Sequence, residues 1–132
     1  MIKIEENLGG IDFSIRFDDR VNLLTGHSGT GKTFMLKTMA DYFMLEGVSC
    51  AFFNRKTMEL SQKAMKEVCI GKDVIIFDDA DLYLTQELLD YASDVGTVIV
   101  SMKSFYTLGF KSLGFYLVEY SENRLEVRRR RF

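Results

Sequence analysis

The chain has 132 residues, which is enough for one domain and too few for two of ordinary size. Apolar residues make up 47% and charged residues 27% of the sequence, a balance that excludes a disordered chain, a collagen-like chain and a disulfide scaffold. The net charge is −2, yet residues 124–131 hold five arginines and one glutamate, so a mildly acidic body precedes a basic C-terminal tail at 124–132.

The sequence has none of the features of a membrane or secreted protein. No apolar stretch approaches the roughly 20 residues of a membrane helix, so we expect no membrane insertion. The first residues lack the basic start and apolar run of a signal peptide. Cys50 and Cys69 are too few to staple a domain, and we interpret them as reduced thiols of a cytoplasmic protein.

Apolar and polar residues alternate at the start of the chain. This period of two predicts two strands within residues 2–17, joined around residues 7–10 as an antiparallel hairpin. Residues 21–25 predict a further strand, and a glycine-rich loop follows it. Helical spacing then predicts a helix over 32–45.

Strands and helices alternate in the rest of the chain. The sequence predicts strands over 48–53, 74–77 and 97–100, helices over 57–68 and 82–91, and a closing hairpin from 115–118 and 125–127. The run Val74–Phe77 is apolar throughout, which is typical of a strand buried on both faces of a parallel sheet. The alternation predicts an α/β fold with a mostly parallel sheet, whose ligands bind at the carboxyl ends of the strands.

The loop after the third strand has the pattern G-x-x-x-x-G-K-[ST]. Its residues are Gly26, His27, Ser28, Gly29, Thr30, Gly31, Lys32 and Thr33. The glycines let the backbone curl so that its N–H groups point at a polyphosphate, and Lys32 adds a positive charge for the β- and γ-phosphates. The Thr33 hydroxyl is a candidate ligand for Mg²⁺. We interpret His27, the only histidine, as a variable residue of the loop.

A second motif lies at the end of the apolar strand 74–77, where Asp78 and Asp79 follow directly. In a sheet that also carries the phosphate loop, Asp78 is placed to hold Mg²⁺ together with Thr33. Asp79 either orients the attacking water or is only a loop residue, and Asp81 is a second candidate. We expect Asp81 to cap the following helix, since aspartate favours that position.

With these two motifs the chain resembles the P-loop nucleoside triphosphatases, in the division with an extra strand between the phosphate-loop strand and the acidic strand. The resemblance implies one domain over residues 1–132, with three layers, a central sheet of order 5-1-4-3-2 and antiparallel hairpins at both ends of the chain. Residues 97–101 then lie between Leu23 and Ile76. The layout is most similar to a minimal ABC-type or RecF-like ATPase, and an AAA-like core is the alternative because no Leu-Ser-Gly-Gly signature is present.

Other polar residues follow the strands. Ser101 and Lys103 lie where related ATPases have sensor residues, although Lys103 also fits a solvated surface charge. Asn54 and Arg55 end the second parallel strand, either at the substrate rim or in an exposed loop. The arginines at 124 and 128–131 allow three interpretations: a solvated strand end, a contact with nucleic acid, or an arginine supplied in trans to a neighbouring nucleotide site.

These observations favour a cytoplasmic ATP-binding protein that hydrolyses the β-γ bond slowly with Mg²⁺. Lys32 and the loop would hold the phosphates, Thr33 and Asp78 the metal, and Asp79 the water. Two alternatives stay open: a nucleotide-gated module that binds protein or nucleic acid, and a small-molecule kinase. The expected partners are the nucleotide and either a second copy in a homodimer or a larger protein, with Arg128–Arg131 as the candidate contact for nucleic acid.

Overall fold

The computed structural model describes residues 2–25, 31–103, 108–109 and 113–130. Within these residues the strands are β1 (Ile2–Leu8), β2 (Ile11–Phe17), β3 (Val21–Thr25), β4 (Cys50–Phe53), β5 (Val74–Phe77), β6 (Thr97–Ser101), β7 (Leu113–Ser121) and β8 (Arg124–Arg129). The α-helices are α1 (Lys32–Leu45), α2 (Gln62–Cys69) and α3 (Gln86–Val95), and 3-10 helices span Arg55–Glu59 and Ala80–Leu82.

The described strands form one mixed sheet in the order β1-β2-β8-β7-β3-β6-β5-β4. Neighbours from β7 to β4 are parallel, and β6 lies between β3 and β5. The hairpins β1–β2 and β7–β8 are antiparallel, and they join because β2 pairs with β8 in parallel. The predicted five-strand order 5-1-4-3-2 is therefore not the order of the sheet as a whole, since the pairing of β2 with β8 makes both hairpins part of it.

Helices cover both faces of the sheet. Successive residues of β5 alternate between two apolar clusters: Val74 and Ile76 belong to one, and Ile75 and Phe77 to the other. Buried residues of α1 pack in the first cluster, and those of α2 and α3 pack in the second. The strand predicted to be buried on both faces is thus confirmed, and the fold is α/β.

Two predicted helices begin later than expected. The helix expected over 57–68 is a 3-10 helix followed by α2, which starts after Ser61 because the Ser61 hydroxyl accepts a hydrogen bond from the Ala64 N–H at 3.1 Å. The helix expected over 82–91 starts only after Thr85, whose hydroxyl accepts from the Leu88 N–H at 3.2 Å. The expectation that Asp81 caps this helix is therefore wrong.

Both cysteines are free thiols, of which Cys69 is buried and Cys50 is partly buried. Burial raises the pKa of each, Cys50 and Cys69, to about 11, so neither is a reactive thiolate at neutral pH. Among the described helices, none combines the length and the apolar character needed to cross a membrane.

Candidate functional site

The start of α1 and the ends of β4 and β5 meet at the carboxyl ends of the parallel strands. The chain enters α1 through Gly31, whose φ of +86° is a left-handed conformation that glycine adopts without strain. Lys32 and Thr33 form the first turn of α1, and the Thr33 hydroxyl donates a hydrogen bond to the Asp78 carboxylate, with 3.4 Å between Oγ1 and Oδ1. The structure thus brings Thr33 and Asp78 together. The preceding loop residues Gly26, His27, Ser28, Gly29 and Thr30 lie outside the described residues.

Asp78 is a buried carboxylate, with 2% of its surface exposed. Burial raises its pKa above the ordinary value, while hydrogen bonds from the Thr33 hydroxyl and the Asp79 backbone N–H work in the opposite direction. Its own N–H donates to the Phe53 carbonyl at 2.8 Å, which ties the ends of β4 and β5 together. A hydroxyl oxygen beside a carboxylate oxygen is a donor set of the kind that Mg²⁺ prefers, so these residues fit that ion.

Asp79 is held in an unusual backbone conformation. Its φ of +49° and ψ of +47° are left-handed values, which few residues other than glycine, asparagine and aspartate adopt. The buried Tyr83 hydroxyl lies 2.5 Å from the Asp78 carbonyl and 3.0 Å from the Phe53 carbonyl, so it fixes the peptide that leads into Asp79. Tyr83 was not found from the sequence, because its role depends on the 3-10 turn that follows β5.

The charges of Asp78 and Asp79 act on the Lys32 ammonium. Burial lowers the pKa of the Lys32 ammonium, the charges of Asp78 and Asp79 raise it, and the charge of Lys103 lowers it. The charges of Lys32, Asp78 and Asp79 therefore influence one another.

A cavity of about 440 Å³ lies beside Asp79. Its walls are formed by Arg55, Asp79, Asp81, Leu82 and Lys103. The Asp81 carboxylate accepts a hydrogen bond from the Lys103 N–H at 2.7 Å, so it anchors the segment after β6.

The remaining sequence candidates also lie along this edge of the sheet. Ser101 is buried at the end of β6. The Asn54 side chain accepts from the Lys56 N–H at 2.9 Å and thereby caps the first 3-10 helix. Arg55 follows it, is exposed and lines the cavity described above, a position that fits both the rim and the exposed-loop interpretation.

The arginine segment continues the sheet as β8 and carries several ion pairs with the protein's own carboxylates. Arg128 pairs with Glu119 at 2.7 Å, and Arg129 pairs with Asp19 at 3.4 Å. Arg130 donates a hydrogen bond to the Thr25 hydroxyl at 3.4 Å, immediately before the phosphate loop. Arg131 lies outside the described residues. Part of the basic charge is thus neutralised within the chain.

Comparison with known proteins identifies the family. The model of the ATPase family associated with various cellular activities (AAA) matches residues 22–107, which is more than half of the chain. No match was found among the curated proteins. The matched region includes most of β3 and all of α1, β5 and β6, the elements that surround Thr33 and Asp78. Of the two resemblances considered from the sequence, the match supports the AAA-like core. The chain therefore belongs to the AAA family of ATPases, within the P-loop nucleoside triphosphatases.

Proposed function

We propose that this protein binds ATP with Mg²⁺ and hydrolyses the β-γ bond slowly. The observation that supports this best is the hydrogen bond between Thr33 and Asp78, because it joins the start of α1 to the end of β5 through two oxygen groups suited to a divalent ion. Membership of an ATPase family supports the same conclusion. The two free cysteines agree with a cytoplasmic protein.

The proposed phosphate site consists of residues 26–33. Lys32 would interact with the β- and γ-phosphates as a compact cation, and the N-terminal end of α1 would add favourable backbone dipoles. Thr33 and Asp78 would hold Mg²⁺, which when bound supplies positive charge that offsets the charge on the phosphates.

Asp79 would orient the attacking water. The water oxygen forms a bond to the γ-phosphorus while the bond from that phosphorus to the bridging oxygen of ADP breaks, and the Asp79 carboxylate accepts a proton from the water. Tyr83 supports this role, since its hydrogen bond to the Asp78 carbonyl holds the turn that carries Asp79. Aspartate is one methylene shorter than the glutamate common at this position, which favours slow turnover.

The test is a titration of ATP and GTP, with and without Mg²⁺, that follows binding and phosphate release in the same samples. We expect Lys32→Ala to weaken ATP binding about 100-fold, because a hydrogen bond to a charged group contributes about 1.5–3 kcal/mol. Asp79→Asn should keep binding and lose phosphate release. Lys63→Ala, a change at an exposed lysine of α2, serves as the matched control and should change neither.

The outcomes separate the alternatives. Binding without release in the wild type would favour a nucleotide-gated module that binds protein or nucleic acid. Phosphate transfer that appears only when an acceptor is added would favour a small-molecule kinase. No binding of either nucleotide by the wild type would contradict the proposal.

A further inference from the structure

Helix α1 carries apolar side chains on both of its sides. Its inner side carries the buried residues Met35, Leu36, Met39 and Phe43. On its outer side the side chains of Phe34, Met44 and Leu45 are 49%, 77% and 86% exposed. A surface helix normally presents charged and polar residues to water, whereas a helix that is apolar all round is normally covered on both sides. The outer side of α1 therefore exposes three large apolar side chains among its charged residues, a mixture typical of an interface.

The charges on this outer side are arranged symmetrically. Phe34, Lys37, Asp41 and Met44 follow one another at spacings of three, four and three residues, so they form one stripe along the helix. The stripe is palindromic about position 39, because Lys37 and Asp41 are equally distant from it, and so are Phe34 and Met44. Opposite charges thus occupy equivalent positions on the two sides of the centre.

We propose that this stripe binds the same stripe of a second copy of the chain, with the two α1 helices antiparallel across a two-fold axis. Such an axis places Lys37 of each copy opposite Asp41 of the other, which gives two reciprocal ion pairs. It also places Phe34 opposite Met44, a favourable contact between a ring and a thioether. A copy of this chain thus supplies both the apolar surface and the complementary charges.

The surface beside this stripe adds further apolar side chains. A groove of about 630 Å³ lies between α1 and the edge strand β4. Its lining includes Lys37 and Asp41 of the stripe, together with Ala40, Met44, Val48, Cys50 and Phe52. Fourteen residues of helix are about 21 Å long, which makes a small interface. We therefore expect a reversible dimer in the micromolar range, independent of nucleotide.

The test is sedimentation velocity over a concentration series with charge-reversed variants. Lys37→Asp and Asp41→Lys each place like charges opposite one another twice, so each should weaken association about tenfold. An equimolar mixture of the two variants should associate as well as the wild type, because every ion pair forms again between unlike chains. The double variant Lys37→Asp/Asp41→Lys should behave in the same way.

Two further measurements keep the result interpretable. Lys63→Asp, a charge reversal on the exposed side of α2, should leave association unchanged, and circular dichroism should show that every variant is folded. Phe34→Ser and Met44→Ser should each reduce dimerisation. A wild type that stays monomeric throughout the series, or a mixture that fails to associate, would overturn the proposal, whatever the nucleotide titrations show.

Discussion

Buried polar groups lie at both ends of the parallel strands, but their hydrogen bonding differs between the two ends. At the amino ends, the Asn22 side chain is fully buried and makes three hydrogen bonds: it accepts from the Asp19 N–H at 3.1 Å and donates to the carbonyls of Asp19 and Val98 at 2.8 and 3.0 Å. The Tyr116 hydroxyl donates to the Asp19 carboxylate at 2.6 Å. This cluster satisfies its own polar groups.

At the carboxyl ends, Asp78 is as deeply buried, but the main donor to its carboxylate is a single hydroxyl at 3.4 Å. Burial consequently raises the pKa of Asp78 despite this hydrogen bond. A buried polar cluster whose groups are all hydrogen-bonded within the protein stabilises the fold. A buried carboxylate with incomplete compensation destabilises it, which is a property expected of a site that binds a cation.

The largest effect on stability is expected at the amino ends. Asn22→Ala removes three hydrogen bonds, one of them to the carbonyl of buried Val98, so we expect a loss of about 2–4 kcal/mol in the free energy of unfolding, measured by urea denaturation. Asn7→Ala, at an exposed asparagine of β1 that bonds to Asp12, is the matched control and should have little effect. Equal losses in both variants would contradict the distinction between the two ends.

At the carboxyl ends we expect the opposite effect, an increase in the free energy of unfolding. Asp78→Asn removes a buried charge and keeps an oxygen that accepts from Thr33, so we expect the unliganded protein to gain about 1 kcal/mol of stability. The same variant should lose Mg²⁺-dependent ATP binding. Asp73→Asn, at an exposed aspartate just before β5, should change neither property. Destabilisation by Asp78→Asn would show that the carboxylate is a structural group like those at the other end.

The smallest expected effect is the pH dependence of the stability that Asp78 controls. The folded pKa of Asp78 lies above the ordinary 3.8, so its destabilising charge is absent well below that value and fully present above the raised pKa. The difference in stability between wild type and Asp78→Asn should therefore grow as the pH rises from about 3.8 and then level off. Thr33, Asp79 and Lys37, which act on the same carboxylate, are present in both proteins, so urea titrations at several pH values isolate Asp78. A difference that does not depend on pH would contradict the assignment.

The elements that meet at the carboxyl ends of the parallel strands were largely predictable from the sequence. The strand at 21–25, the helix at 32–45 and the strand at 74–77 have the predicted bounds, because local periodicity and burial on both faces leave clear patterns. Parallel strands also align their carboxyl ends, which is why Thr33 and Asp78 were expected to meet.

The amino-terminal cluster was not predictable in this way. Tyr116 and Asp19 are 97 positions apart in sequence, and no local pattern indicates that their side chains meet. The start of α3 was missed for a related reason: both Asp81 and Thr85 are good helix caps, and the 3-10 turn at Ala80–Leu82 decides between them. Tertiary packing, rather than propensity, selects the outcome in both cases.

The pairing of β2 with β8 determines the order in which the sheet is completed. Among the described residues, three ladder pairs, from Asp12 with Arg124 to Ser14 with Glu126, join the first hairpin to the other strands of the sheet, together with the Asp12 N–H bond to the Asn123 carbonyl at 2.8 Å. Because these partners lie more than 100 residues apart, β1 and β2 are synthesised well before β8 and are among the last strands to reach their place. Until residues 123–126 emerge, β2 presents an open edge, so this interval of synthesis is when the chain is most exposed to aggregation.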